Sequence, residues 1–353
     1  MEYRQVIELC KSGNLQELQH IIEQQNIMSD FYNLFNIACE YGHLNITKWL
    51  LQIKPDINIS AYNEYAFRYA CLEGHLHVAQ WLLQIKHDIN ISAKNEHAFR
   101  GACCNGHLDV AQWLLQIKPD INISVYDDVE AFRISCMKGH LDLAKWLLQI
   151  KPDINISSHH EHAFRGACCN GHLDVAKWLL QIKPDINISV YDDEAFRNSC
   201  IKGHLDLAKW LLQIKPDINI SSHHEEAFRG ACNGHLDVAK WLLQIKPDIN
   251  ISVYDDEAFR WGCEHGQINV IQWLCTLNSS YQIQTENNKI VSFHVLKQLP
   301  IDKTTILSIS NIEDKTCPIC YEKSIQLQTN CKHCYCSECI QKHYNSDSSC
   351  PIC

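Results

Sequence analysis

Apolar positions along this chain of 353 residues recur as one block, written again and again with small changes. A typical block reads EHAFRGACCNGHLDVAKWLLQIKPDINIS, from Glu161 to Ser189. Ala163, Phe164, Ala167 and Cys168 sit at helical spacing and predict a short first helix. Gly171 stops it, because positive φ costs a glycine little. Leu173, Val175, Ala176, Trp178, Leu179 and Leu180 form a broader apolar stripe that predicts a second helix. Pro184 opposes its continuation. The DINIS segment and the polar tip after it predict an extended turn into the next block.

The repetition sets the architecture. Trp49, Trp81, Trp113, Trp146, Trp178, Trp210, Trp241 and Trp273 fall 31 to 33 residues apart, a period that means a solenoid. Gly13, Gly42, Gly74, Gly106, Gly139, Gly171, Gly203, Gly234 and Gly266 keep the same period and count nine units. A helix pair this short cannot bury its apolar faces alone, so its stability must come from stacking on neighbours. The first unit, to about Met28, keeps both stripes but is more polar, as a solvent-facing cap should be.

Variation within the block is informative. Val129 is an extra residue in a tip, where insertion is tolerated. GACNGH at 230–235 lacks a residue that GACCNGH has elsewhere and is expected to disturb packing locally. Tips beginning VYDD (Val125, Val190, Val253) alternate with tips beginning at Ala93, Ser158 and Ser222 that read AKNE or SHHE. Tandem duplication explains that alternation without any function; the functional reading is a partner engaged with two-fold repetition. His159, His160, His162, His223 and His224 read as solvated tip residues, since no cysteine or carboxylate geometry accompanies them. The Gly-His histidines, such as His43, His140 and His172, read as structural hydrogen-bonders at the turn. Recurrent cysteines such as Cys39, Cys71, Cys136 and Cys200 stand in for a small alanine in the packed helix.

On these residues the block resembles the ankyrin repeat. ACCNGHLDVAKWLL stands where that family has its alanine pair, Gly-His turn and leucine-rich second helix, and DIN where it has its hairpin aspartate and asparagine. The resemblance covers residues 1–279 and implies an all-α solenoid that binds a target protein on its concave face. Hairpin tips and variable first-helix positions would carry that binding: Tyr126, Asp127, His159, His160 and Trp261. Two departures stand out. The family's Thr-Pro-Leu-His opening is replaced by Glu194-Ala195-Phe196-Arg197 and its equivalents, and a lysine (Lys118, Lys151, Lys183) takes the place of the glycine after the second helix. A lysine in left-handed conformation there is expected to cost about 1 kcal/mol. The wording WLLQIKPDINIS, with AFR opening each unit, is similar to ankyrin proteins encoded by giant DNA viruses.

The chemistry changes at the C-terminus. Of 20 cysteines, twelve are scattered through residues 10–275 and eight crowd into the last 37, which separates reduced core thiols from metal ligands. Residues 280–316 read as a linker whose apolar part, IVSFHVLKQLPI, is a strand or a helix. Then come Cys317 and Cys320, Cys331 with His333, Cys336 and Cys339, and Cys350 and Cys353. Three C-x2-C pairs each let a tight turn present two thiolates to one ion, and eight ligands imply two zinc ions. So few apolar residues remain that coordination, on the order of 10 kcal/mol per structural ion, must drive folding.

Seven cysteines and one histidine in this order, across 317–353, resemble the RING finger. The family's interleaved pairing implies one site from Cys317, Cys320, Cys336 and Cys339 and another from Cys331, His333, Cys350 and Cys353, with Cys334 a surplus thiol. The resemblance also implies a ubiquitin-conjugating enzyme held at Ile319, Pro351 and Ile352. His343 stands where the family often has a tryptophan, and no basic residue follows the last cysteine.

Charge and hydropathy narrow the function further. A formal charge of −10 without a basic run argues against nucleic acid as a partner. The N-terminus has no signal-peptide pattern, and nowhere are there 18 uninterrupted apolar residues, so the expected site of action is the cytoplasm or nucleus, in an infected host cell if the viral resemblance holds, with no membrane involved. The expectation is a RING-type ubiquitin ligase with an ankyrin receptor; the alternative is a non-catalytic interaction scaffold whose RING is structural. An enzyme acting through the repeats lacks support, because no nonrepeating Ser, His and Asp constellation or phosphate-binding glycine loop occurs.

Overall fold

The computed structural model describes residues 2–25, 30–123 and 130–278, followed by short segments at 283–284, 290–291, 304–305, 327–329 and 334–335. Its helices pair off as nine helix–turn–helix units, from α1 (Glu2–Ser12) with α2 (Leu15–Gln25) to α17 (Val253–Glu264) with α18 (Ile268–Leu277). No helix among the described residues is long and apolar enough to cross a membrane. Two compact units share the chain: residues 1–167 with 172–187, and residues 168–171 with 188–353.

In the first of these, the fourth repeat shows why the block folds as it does. Ala98, Phe99, Ala102 and Cys103 of its first helix, Ala93–Cys104, are buried together with Val110, Ala111 and Leu114 of its second, Leu108–Ile117. Burying a side chain the size of Phe99 or Leu114 contributes about 1.5–3 kcal/mol, too little for one repeat to offset its own chain entropy. The missing stabilisation comes from the next repeat. Phe67 meets Trp113 at 6.2 Å between ring centroids, Phe99 meets Trp146 at 6.4 Å and Phe132 meets Trp178 at 6.1 Å, all tilted by 50 to 54°. In the second compact unit Phe196 and Trp241, and Phe228 and Trp273, repeat the contact at 6.2 Å and 54°. Such tilted pairs add about 0.5–1.5 kcal/mol beyond the area they bury.

A second contact runs along the turns. Each turn glycine has positive φ, as in Gly139 at 79°, and from Gly13 to Gly203 the histidine of the following repeat lies against it. A Cβ on Gly139 would stand 2.4 Å from Nδ1 of His172, and one on Gly203 would stand 2.3 Å from Nδ1 of His235. The histidines also bond across the junction: His43 Nε2 lies 2.7 Å from the Lys11 carbonyl, and His204 Nε2 lies 3.2 Å from that of Cys169. The expectation of structural hydrogen-bonders at the turn holds for these two, and the glycine is required twice, for its φ and for the absence of a side chain.

Two expectations need correction. The lysines after the second helices are extended, not left-handed: Lys118 has φ −140°, Lys151 −136° and Lys183 −139°. Each donates its backbone N–H to the carbonyl four residues back and its Nζ to an aspartate two residues on, such as Asp120 at 2.8 Å, so no left-handed cost arises there. Nor does the short turn at 230–235 disturb packing. Gly234 opens to φ 114° and His235 donates its N–H to Ala231, while Phe228, Ala231, Cys232, Val238 and Ala239 all stay buried. The residue is lost from the end of the first helix, Ser222–Ala231, which stops sooner than its equivalent Ala93–Cys104, and not from the packed faces.

Strain sits at the tips instead. Tyr62, Asn63 and Glu64 have φ of 51, 56 and 62°, and the tips at Lys94–Glu96, His159–Glu161, Tyr191–Asp193, His223–Glu225 and Tyr254–Asp256 do the same. Left-handed L-residues cost roughly 1–2 kcal/mol each. The arginine of the recurrent AFR holds this turn by donating into its carbonyls. Arg165 gives Nε to His160 (2.7 Å) and Nη2 to His159 (3.3 Å); Arg229 gives Nε to His224 (2.8 Å) and Nη2 to His223 (3.2 Å). The last tip residue is a buried acid that accepts from the next repeat's backbone, Glu64 from Asn90 at 3.3 Å and Asp193 from Asn219 at 3.0 Å. That asparagine in turn accepts from the serine two residues later, as Asn58 does from Ser60 at 3.1 Å.

Beyond α18, β1 (Ile283–Gln284) pairs antiparallel with β2 (Ile290–Val291), so part of the apolar stretch takes the strand option. β3 (Thr304–Thr305) pairs with β4 (Leu327–Thr329), which pairs with β5 (Cys334–Tyr335); this antiparallel sheet draws on residues before and after Cys317. The extra residue Val129 lies outside the described residues.

Gly139→Ala should destabilise the array by about 2–4 kcal/mol, from positive φ together with the overlap on His172. Adding His172→Ala should recover the steric part, so urea midpoints of the two single variants and the double variant will be non-additive. The sign of the pH dependence follows from His75, His97, His140 and His235, whose pKa values are lowered, first of all by burial. Their unfolded forms bind protons more readily, so this stability is complete above about pH 6.5 and falls as pH drops towards the folded pKa values. Urea midpoints of residues 1–279 should be level from pH 8 to 7 and lower at pH 5.5, well above the range in which the stabilisation from the lowered aspartates Asp88 and Asp120 is lost.

Candidate partner-binding face and zinc-binding terminus

The left-handed tips and the outer positions of the first helices are where side chains differ between repeats. Tyr126 and Asp127 lie outside the described residues. His159 and His160 are exposed on a left-handed turn, with their carbonyls taken by Arg165. Trp261 stands on α17, with the Arg229 guanidinium 5.8 Å from its ring. The same guanidinium lies 4.9 Å over Tyr254, whose ring meets His224 at 5.3 Å. His223 Nε2 reaches Asp192 Oδ2 of the preceding tip at 3.3 Å. In the second compact unit the alternation of acidic and histidine tips therefore sets opposite partners side by side.

Sequence reasoning did not single out a pocket in the first compact unit. It lies between α3 (Phe31–Glu40) and α5 (Ala61–Leu72), has a volume of about 520 Å³, and is lined by Tyr32, Asn36, Glu40, Tyr62, Tyr65 and Arg68 among others. Tyr65 stacks on Tyr69 at 4.0 Å and donates its hydroxyl to Glu40 at 3.0 Å. The signal was present in the sequence: Asn36 stands where each unit from the third to the ninth has arginine.

The fully buried repeat cysteines lack the environment of a ligand or nucleophile. Cys39, Cys71, Cys136, Cys168, Cys200 and Cys232 are fully buried, and burial pushes their thiols well above the ordinary range, that of Cys10 to about 12. A thiol so raised supplies no thiolate at neutral pH. Among the described residues no three His, Cys, Asp or Glu side chains are arranged to hold a metal ion.

The eight C-terminal ligands, Cys317, Cys320, Cys331, His333, Cys336, Cys339, Cys350 and Cys353, lie outside the described residues, as do Ile319, Pro351 and Ile352. Seven thiolates and one imidazole form a soft donor set that suits zinc and disfavours calcium or magnesium.

Comparison with known proteins agrees with this division. A family model of ankyrin repeats, in three copies, matches residues 6–95, 99–192 and 167–255. A model of the zinc finger of C3HC4 type, the RING finger, matches residues 317–353, and a finger of that type binds two zinc ions. A search of curated proteins returned no match. Among solved structures, the human ASB11 ankyrin repeat domain is similar over 55% of this chain and 95% of its own, with 18% identity and a TM-score of 0.40.

Metal analysis of the intact chain should return two zinc ions per molecule, and residues 1–279 alone should return none. Stoichiometric zinc in the shorter fragment would instead make ligands of the tip histidines.

Proposed function

We propose, from the premise that the chain belongs to the ankyrin-repeat family and carries a RING finger at residues 317–353, that it is a ubiquitin ligase in which the repeats hold a target protein and the RING holds a charged ubiquitin-conjugating enzyme. The observation that carries this reading is the joining of a protein-binding array and a C3HC4 finger in one chain. Such a finger needs no nucleophile of its own. Holding the thioester of a conjugating enzyme near a lysine of the captured target makes the transfer effectively intramolecular, and positioning supplies the rate.

In this reading Cys317, Cys320, Cys336 and Cys339 hold one zinc ion and Cys331, His333, Cys350 and Cys353 the other. Ile319, Pro351 and Ile352 make the apolar contact with the conjugating enzyme, while exposed tips such as His159 and His160 and the first-helix Trp261 contribute to target capture. The repeat wording shared with giant DNA viruses supports action in the cytoplasm or nucleus of an infected host cell. One observation favours the scaffold alternative: His343 replaces the tryptophan that RING fingers often present to the conjugating enzyme.

With activating enzyme, a panel of conjugating enzymes, ubiquitin and ATP, the zinc-loaded chain should build ubiquitin chains on itself. Ile319→Ala should remove this activity without releasing zinc, because Ile319 adjoins ligands but is not one. Cys336→Ser should remove both activity and one metal site. A silent panel with zinc fully bound would leave the scaffold reading in its place.

A further inference from the structure

The arginine that holds each tip also reaches forward to the next repeat. Arg100 Nη1 pairs with Glu130 at 3.2 Å, Arg197 Nε with Glu226 at 2.8 Å, and Arg229 with Glu257. This ladder is broken near its N-terminal end. Asn36 replaces an arginine, Tyr65 replaces the glutamate that would have faced it, and His97 replaces the glutamate that would have faced Arg68. Arg133 also faces a histidine, with His162 Nδ1 at 3.5 Å, but the unit before it has its arginine, Arg100. At Asn36 the short side chain leaves room, and the pocket of about 520 Å³ occupies it.

What the broken ladder leaves behind is a buried cation with no ion-pair partner among the described residues, on which the Glu64 carboxylate acts only from longer range. Arg68 is only 6% exposed. It donates Nε to Asn63 (2.6 Å) and Nη2 to Tyr62 (3.1 Å), both carbonyls, and lies between 5.6 and 5.9 Å from the Tyr69 and Tyr65 rings. Among the described residues its Nη1 makes no hydrogen bond, and no carboxylate comes within ion-pair distance of it. Burial, first of all, lowers its pKa, the mark of a charge short of compensation. Lys94, on the rim, also has no carboxylate partner within ion-pair distance among the described residues. The two acids of the lining are engaged: Asp30 caps α3 through the Asn33 N–H at 3.1 Å, and Glu40 accepts from Tyr65. The buried Tyr32 hydroxyl, beside Asn36, lacks a hydrogen bond of normal geometry.

We propose that this pocket is a carboxylate-reading site that receives a single glutamate or aspartate side chain from a bound protein segment. The carboxylate meets Arg68 Nη1 and the Tyr32 hydroxyl between the Tyr62 and Tyr65 rings, replacing the charge that glutamates supply farther along the array. Asp30 and Glu40 at the same opening repel a second negative charge, which selects against acidic runs and phosphorylated residues. The assignment rests on the reading of the repeats as a receptor for protein.

The test is fluorescence anisotropy of the full chain with three pools of short peptides, acetylated and amidated, whose central residue is Glu, Gln or phosphoserine and whose flanks contain no acid. The Glu pool should bind about tenfold more tightly than the Gln pool, as expected for one charge-assisted contact, and also more tightly than the phosphoserine pool. Asn36→Arg fills the pocket with the side chain that neighbouring units already carry, so it should fold and should bring Glu binding down to the Gln level. Arg68→Gln should do the same, with thermal melting checked because Arg68 also holds the tip. Equal binding of Glu and Gln pools, tighter binding of phosphoserine, no binding of any pool, or an Asn36→Arg variant that still prefers Glu would each overturn the site. Failure of the receptor reading has a separate signature. A target that the chain ubiquitylates equally well with and without residues 1–279 removes that reading, whatever the pools show.

Discussion

Stacking between successive repeats is the interaction on which the rest of the array depends. A pair of ten-residue helices buries one phenylalanine and a few small side chains, far less than the entropy of ordering some thirty residues requires. The next repeat supplies the remainder, by its tryptophan against that phenylalanine and its histidine against the turn glycine. Both contacts demand a small or apolar residue on one side and a large one on the other. Phe, Trp, Gly and His therefore recur at these positions in most repeats, with Asn14 in the first and Gln267 in the last taking the histidine's place.

The same stacking makes an unusual backbone tolerable. Three left-handed residues in a row cost a few kcal/mol at each tip, and no single tip could hold that conformation in isolation. Charge-assisted hydrogen bonds from the AFR arginine, each worth roughly 1.5–3 kcal/mol, and the buried acid that accepts from the next repeat are of the size needed to offset it. Side chains on such a turn, His159, His160, Tyr191 or Tyr254, project from a fixed frame instead of a loose loop. A binding face built on it loses little entropy when a partner docks.

The two ends of the chain solve the problem of folding by different chemistry. The repeats use apolar faces and bury thiols such as Cys71, whose pKa burial raises. The last 37 residues have too little apolar surface for that and depend on thiolate coordination. A protein of this design gains stability from packing at one end and from zinc at the other, and loss of metal should unfold the second without unfolding the first.

Period, helix pairs, the stop at each glycine and the zinc ligand order were all legible in the sequence, because they depend on local spacing: Trp49 to Trp273 for the repeat, Gly139 or Gly171 for the turn, Cys317 to Cys353 for the finger. The Gly-His histidine could be read as structural for the same reason. Tertiary structure decided what depends on the neighbouring repeat. Lys118 looked like a left-handed residue because glycine is usual there, yet an aspartate two residues on draws it into an extended form. The tip of SHHE or VYDD looked like a solvated loop, yet its last acid is buried and its backbone left-handed, since an arginine five residues later reaches back to hold it. Asn36 looked like one polar substitution among many. Only the packing of α3 against α5 shows that it opens a pocket and leaves Arg68 buried without an ion-pair partner among the described residues, because the cost of a buried charge depends on what surrounds it in space and not on what adjoins it along the chain.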